Sequence, residues 1–269
     1  MASQLELTRL KLKDDFEFYA RNVLTVRSKS GEIKNLLLNK AQRYINDCIE
    51  EQRRQTGQVR AIVLKGRQQG VSTYVEGRYY WKTTHRNGVR AFILTHEADS
   101  TSALFEMVER YHLGAPSFVK PSTGASNQKE LSFDKLDSGY KVGTAGNKSV
   151  GRGTTIQYFH GSEVAYWPNA AEHAKGILQA VPDEPDTEII LESTANGVGN
   201  YFYQQWQQAE AGLSPFQAIF VPWHWQDEYR KSAEDLSTTE EEDGLIALYG
   251  LDLEQLAFRR SKIAELSAD

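Results

Sequence analysis

The chain has 269 residues, 40% hydrophobic and 25% charged, with one cysteine and a formal net charge of -5. That length suits one large globular domain with an appendage, and a lone cysteine excludes a disulfide framework or a cysteine-rich metal site and fits a reducing compartment. No run of membrane-spanning length and no basic, apolar leader is present, and the acid excess lacks the overall signature of a nucleic-acid binder, so any DNA contact has to be a local basic patch.

In chain order, Phe16, Tyr19, Ala20 and Val23 repeat with helical spacing, residues 28–31 form a turn, and a second helix runs from about Asn39 to Gln52, with Cys48 as packing. From Val59 onward, β segments alternate with helices. Strands are expected at 59–64, 89–95, 154–160, 187–192 and 216–221, and helices at 72–85, 97–113, 170–180 and 200–211. Such alternation implies a mainly parallel sheet covered by helices. Residues 114–150, rich in Gly, Ser, Pro and Lys, read as a long loop over the site with short strands near Leu131 and Tyr140. After Pro222 the character changes. Ser237/Glu240, Thr238/Glu241 and Thr239/Glu242 are spaced as capping boxes, and a last helix starts near Asp252 and ends near Leu266. These divisions give an N-terminal helical segment (1–55), a nucleotide core (56–222) and a lid or linker of helices (223–269).

The densest chemistry lies in residues 59–75, where an apolar strand runs into a turn bounded by Gly66 and Gly70 and then a hydroxyl pair, Ser72 and Thr73, opening a helix. Glycine permits the turn, and a helix N-terminus attracts anions, so this is a phosphate cradle, with Ser72 expected as the cap. The usual loop lysine precedes the hydroxyl, but Val71 stands there. The positive charge sits upstream at Lys65 and Arg67, with Gln68 and Gln69 completing the loop. Lysine at Val71 is expected to be tolerated or to tighten ATP binding, and loss of Arg67 to abolish it.

A second segment, 154–167, delivers Glu163 at the C-terminal end of a strand, where open α/β sheets place ligands and where a carboxylate can polarise the water that attacks a γ-phosphate. The neighbouring position, where a magnesium-side aspartate is usual, is Ser162. A third strand ends in Ser193, Thr194, Ala195, Asn196 and Gly197, small polar groups able to hydrogen-bond a phosphate or the catalytic carboxylate. The six histidines, among them His160 and His173, form no zinc-type spacing and read as packing or polar surface. Lys82, Arg86 and Arg90 read as a solvated face or a small basic patch.

In this order and at these separations, Gly66-Arg67-Gln68-Gln69-Gly70-Val71-Ser72, Ser162-Glu163-Val164-Ala165-Tyr166-Trp167 and Ser193-Thr194-Ala195 resemble the ATPase domain of the large terminase subunit of tailed bacteriophages, over about residues 35–265. The resemblance implies a RecA-like P-loop α/β fold that binds ATP and Mg2+ and hydrolyses ATP to drive double-stranded DNA into a procapsid at its portal, in the host cytoplasm. By the same resemblance Gln42 reads the adenine edge, Arg152 is an arginine finger supplied to a neighbouring subunit, and Ser193, Thr194 and Ala195 couple hydrolysis to movement. Ser72 and, through water, Glu163 would serve the metal. The implied partners are portal protein, the small terminase subunit and further copies in a ring, with the isolated chain a monomer. The clustered aspartates of the family's nuclease are not found after Glu192, so no nuclease activity is expected from this segment, which reads as the ATPase portion alone. Because Val71 and Ser162 replace two usual site residues, a nucleotide-binding assembly module with little turnover is the competing expectation.

Overall fold

The computed structural model describes residues 4–124, 126–127, 129–146 and 155–267. They form two units, Met1–Val221 and Pro222–Asp269, so that the N-terminal helical segment falls within the first.

In the first unit, helices α1 (Gln4–Asp14) and α2 (Phe16–Val23) lead into a short hairpin of β1 (Thr25–Arg27) and β2 (Ile33–Asn35). Asp15 caps α2 by accepting the Phe18 amide at 2.8 Å, and Phe16, Tyr19, Ala20 and Val23 are buried, as their spacing anticipates. Helix α3 (Lys40–Thr56) begins in a capping box between Asn39 and Gln42 and stops at Gly57, whose φ of 79° a side chain would resist.

An eight-stranded sheet follows. Its strands are β3 (Val59–Lys65), β4 (Arg90–Thr95), β5 (Ser126–Asn127), β6 (Glu130–Phe133), β7 (Ser138–Thr144), β8 (Tyr158–Ser162), β9 (Glu188–Ser193) and β10 (Gln217–Val221), in the order β10-β3-β9-β8-β4-β7-β6-β5. The pairings from β10 to β7 are parallel, and β6 and β5 add an antiparallel edge. Helices α4 (Val71–His85), α5 (Ala98–Gly114), α6 (Ala170–Leu178) and α7 (Tyr201–Glu210) make the crossovers. The apolar runs of β3 and β9 reflect burial on both faces, the condition of a parallel strand between helices. The architecture is the mainly parallel sheet covered by helices that the alternation implied.

Three local expectations need correction. The stretch 114–150 is less loop-like than its composition: the strands expected near Leu131 and Tyr140 are present as β6 and β7, and β7 is a seven-residue strand inside the sheet that pairs with β4 and β6. Its two glycines and a serine dilute the apolar signal, although at Gly139 a Cβ would meet Arg90 Cδ and Leu131 O only at ordinary contact distance, 3.6 Å. The strand expected at 154–160 starts later, at Tyr158, and runs to Ser162. Helix α4 is not capped by Ser72: the cap is Gly70, at φ 76°, and the helix begins at Val71, one turn position before the hydroxyl.

The second unit holds α8 (Glu240–Tyr249) and α9 (Leu253–Leu266). Of the three spaced capping pairs, Thr239/Glu242 is the one that forms, because only Thr239 stands at the helix boundary; Asp252 and Gln255 make the equivalent box on α9. Tyr229 stacks on Phe258 at 4.7 Å between ring centroids, and Arg260 binds Glu242.

Candidate active site at the carboxyl edge of the sheet

Parallel strands release their following loops at one edge, and here β3, β4, β8 and β9 deliver Lys65, His96, Glu163 and Thr194 to the same place. Together with Arg67, Gln68, Ser100 and Tyr166 they line an open cleft of about 350 Å³. Helix α4 starts directly after the glycine-bounded loop, so its unpaired N-terminal amides belong to this edge.

The loop is held from beneath. Gln69 is buried and its Oε1 accepts the Gly66 amide at 2.7 Å, closing the turn on itself. Gln42 is also buried; its Nε2 donates to Gly70 O at 2.7 Å and its Oε1 accepts the Asn39 amide at 3.0 Å, while Asn39 Nδ2 donates to Gln69 O at 3.1 Å. The residue assigned by resemblance to adenine therefore braces the phosphate loop, using one of its two amide hydrogens and one lone pair of its oxygen. A Cβ at Gly70 would sit 2.7 Å from Gln42 Nε2, so glycine is needed there for both its φ and its space. Gln68 adopts φ 55° without being glycine and accepts Lys29 Nζ at 2.8 Å, which ties the β1–β2 hairpin to the loop.

Glu163 follows β8 in the left-handed region at φ 52°, a conformation a glutamate takes only when its surroundings impose it. Its Oε1 lies 2.6 Å from Lys65 Nζ; its Oε2 accepts the Thr194 amide at 3.1 Å and the Ser193 and Thr194 hydroxyls at 3.3 Å each. The Ser193 hydroxyl also accepts the Ala165 amide, Tyr166 OH lies 3.2 Å from Thr194 Oγ1, and Asn196 Nδ2 donates to Ala165 O. The second and third sequence segments thus meet as one hydrogen-bonded unit around Glu163.

Three participants escaped the sequence reading: Glu192, His160 and Glu76, all without exposed surface. In the parallel register Ser162 stands beside Glu192, and Glu188, Ile190 and Glu192 share one face of β9 by the two-residue period. Helix α4 presents Ser72 and Glu76, one turn apart, to that face. Ser72 and Ser162 hydroxyls both donate to Glu192 Oε1 at 2.8 Å, while Oε2 lies 3.1 Å from Lys65 Nζ. His160 sits between Glu76, at 2.6 Å from Nδ1, and Glu192, at 3.5 Å from Nε2. The signal in the sequence was a glutamate directly after the apolar run Ile189-Ile190-Leu191.

Burial opposes charge on Lys65, but Glu192 and Glu163 outweigh it and hold its pKa above the usual lysine value. Burial likewise disfavours the imidazolium of His160, yet hydrogen bonds to Glu192 and Glu76 raise it to about 9. Glu192 would be pushed up by burial, and Lys65 and His160 reverse this and bring it well below the ordinary carboxylate. Glu76 goes the other way: burial raises it, and His160 offsets only part.

Of the remaining sequence candidates, Val71 is packed at 1% exposure, Thr73 O accepts Tyr111 OH at 3.1 Å, and Arg152 lies outside the described residues. The basic patch does not form. Lys82 is buried 2.5 Å from Glu188, Arg86 pairs with Asp186 and Arg90 with Asp137, so these charges answer local carboxylates. Among the described residues no helix is long and apolar enough to cross a membrane.

No protein-family profile matches the chain. Its fold, however, has solved counterparts. The large terminase of bacteriophage HK97 superposes with a TM-score of 0.67 at 12% identity over 95% of this chain and 52% of its own. The large terminase ATPase domain of Thermus phage P74-26 gives 0.52 at 19% identity, over 76% of this chain and 86% of its own. The large terminase of another thermophilic bacteriophage gives 0.56 at 9% identity, over 80% and 51%. The chain spans about half the length of the HK97 protein, and across that span it has the RecA-like fold of the large-terminase ATPase domains.

Proposed function

We propose that this chain is the ATPase motor portion of a large terminase subunit, hydrolysing ATP to translocate double-stranded DNA into a procapsid. The observation that carries the reading is the convergence of Lys65, Glu163, Glu192 and Ser72 beneath a glycine-bounded loop at the carboxyl edge of a parallel sheet, beside a cleft that Arg67 lines. Phosphates entering there meet the α4 amides, Arg67 and Lys65, while Gln42 and Gln69 keep the loop in shape.

Lys65 Nζ lies between two carboxylates, and phosphate oxygens compete with both for it. As Lys65 turns toward them, Glu163 Oε1 becomes free to take a proton from an attacking water, while Thr194 and Ser193 keep Oε2 in place. General-base action of this kind is worth roughly 10²- to 10⁴-fold. The Ser193 and Thr194 contacts make those residues the route by which the state of Glu163 reaches β9 and the Tyr166 turn. Arg152 would act on a neighbouring subunit's nucleotide in a ring assembled on portal protein with the small subunit.

A divalent cation fits the residues present: Ser72 offers a hydroxyl on the first turn of α4, and Glu192 and Glu163 offer carboxylates. Magnesium would supply charge neutralisation between the β- and γ-phosphates, and it is commonly held by few protein groups.

The test is phosphate release by wild type against Glu163→Gln, with DNA and portal protein present. Release by wild type and its loss in the variant, with nucleotide still bound by both, supports the motor. Equal release at background level by both, with binding intact, would instead support the assembly module. Turnover per subunit should also fall on dilution and on Arg152→Ala; constancy in both removes the trans finger.

A further inference from the structure

Phosphate sites of this architecture ordinarily place an acid at the strand end beside the catalytic residue, and this chain has Ser162 there. The hydroxyl has not left the site without a carboxylate. Ser162 and Ser72 both direct their hydroxyls to one oxygen of Glu192, each at 2.8 Å, from the adjoining strand and from the helix that follows the phosphate loop. Glu192 reaches that point because β9 lies between β3 and β8 and its register sets Glu192 level with Ser162.

We propose that Glu192 is the metal-side carboxylate of the site, supplying from β9, through its contact with Ser72, the charge that a divalent cation at the phosphates requires. The proposal rests on the ATPase reading above.

Three observations carry it. A carboxylate without exposed surface is unfavourable unless its partners need it, and Glu192 is paired in ways that point to the site rather than the core: a hydroxyl from the phosphate-loop helix, the upstream lysine and the substituted strand end. Its Oε2 meets Lys65 Nζ at 3.1 Å as an ion-pair contact that lacks hydrogen-bond alignment, so this oxygen retains acceptor capacity once Lys65 moves to phosphate. Behind it, His160 and Glu76 form a second layer, in which the imidazole Nδ1 is fixed by Glu76 and Nε2 faces Glu192. That arrangement orients the carboxylate as outer groups orient metal ligands. On the cleft side of that layer, Glu163 and Glu192 share one lysine, Lys65, which phosphate would draw away from both.

The experiment measures affinity for a fluorescent ADP by titration, with excess Mg2+ and with chelator, so that the metal-dependent gain is separated from metal-free binding and from turnover. Mn2+ binding in the presence of the nucleotide, followed by its electron paramagnetic resonance signal, gives a second readout. Glu192→Gln should lose about 10- to 100-fold of the Mg2+-dependent gain, read as the ratio of affinities with and without metal, so that any change in metal-free affinity from releasing Lys65 divides out. The exchange variant Ser162→Asp/Glu192→Ser keeps one carboxylate in the cluster and moves it to the adjoining strand; it should restore the gain and the Mn2+ signal. A wild-type gain in Glu192→Gln overturns the proposal and leaves the ATPase reading standing. If Glu192→Gln does not fold, the exchange variant decides, and its lacking the gain overturns the proposal. A wild-type chain that binds the nucleotide under neither condition overturns both.

Discussion

Glu188 and Glu192 stand at the two ends of β9, both without exposed surface and both turned toward α4, yet they sit in different electrostatic circumstances. At the first end Arg78 grips Glu188 with two hydrogen bonds of 2.8 Å, Lys82 approaches to 2.5 Å, and Arg78 also reaches Glu50 at 2.7 Å. Arg78, Lys82 and Glu188 are buried, and the cluster ends at Glu50, which is partly exposed and also pairs with Arg53. At the second end Glu163, Glu192 and Glu76 meet Lys65 and His160 next to an open cleft. Balanced and closed charge is a structural joint; unbalanced charge opening on a cleft is a binding site. The pKa directions follow the same division: burial alone would raise Glu188, but Arg78 and Lys82 bring it to about 2, whereas Glu76 behind the cleft is left raised.

The largest effect that would break this comparison is on folding. Glu188→Gln leaves Arg78 and Lys82 buried without their shared carboxylate, and an uncompensated buried charge costs about 3–5 kcal/mol. Denaturant unfolding of the variant should show that loss. A loss below about 1 kcal/mol would mean that the Glu188 cluster is no joint, and the distinction between the two ends would fail.

At the cleft end the expected loss is catalytic instead. Glu163→Gln should lower ATP turnover by about 10²- to 10⁴-fold. Its effect on unfolding should stay within about 1 kcal/mol, because Glu163 is partly exposed and belongs to an unbalanced cluster. Measuring both quantities on both variants sharpens the contrast: each substitution should move one of them and spare the other.

The alternating frame and one side of the cleft were legible in the sequence, and most of what was missed depends on strand register. The alternation of strands and helices, the glycine-bounded loop and Glu163 are local patterns, and local patterns set where the chain turns and which strand ends carry polar groups. Glu192, His160 and Glu76 lie on three different elements and acquire meaning only when the register aligns Ser162 with Glu192 and α4 crosses both strands. Lys82 illustrates the same limit in reverse, since at helical spacing with Arg86 it reads as surface, but the face it occupies is the one that β9 covers with Glu188. Composition understates β7, which reads only as a short strand near Tyr140 in a loop-like stretch.

Smaller effects concern the phosphate loop itself. Arg67→Ala should weaken nucleotide binding by about 10- to 100-fold, the scale of one charged hydrogen bond, rather than abolish it, since the α4 amides and Lys65 remain. Titration with a fluorescent nucleotide measures it. Val71→Lys differs from what the loop pattern suggests. Val71 is 1% exposed, so the new chain enters a packed position and should cost about 1–3 kcal/mol of stability, visible in unfolding, whether or not its amine then reaches a phosphate.

The smallest expected effect compares two buried histidines. His160 has carboxylates at both ring nitrogens and is raised to about 9. His112 on α5 has instead Tyr80 OH at 3.1 Å from Nδ1 and the Phe133 ring at 5.5 Å, and burial, reinforced by Lys120, lowers it to about 4. A base whose folded pKa lies below its unfolded value of 6.5 binds fewer protons in the folded state. Its contribution is therefore fully present above pH 6.5 and is lost as the pH falls from there toward 4. Thermal unfolding across that window should show wild type losing stability faster than His112→Asn, which fills the site without an imidazole to protonate. Parallel curves for the two would mean that His112 is as well accommodated charged as neutral, and that carboxylate partners are not what separates it from His160.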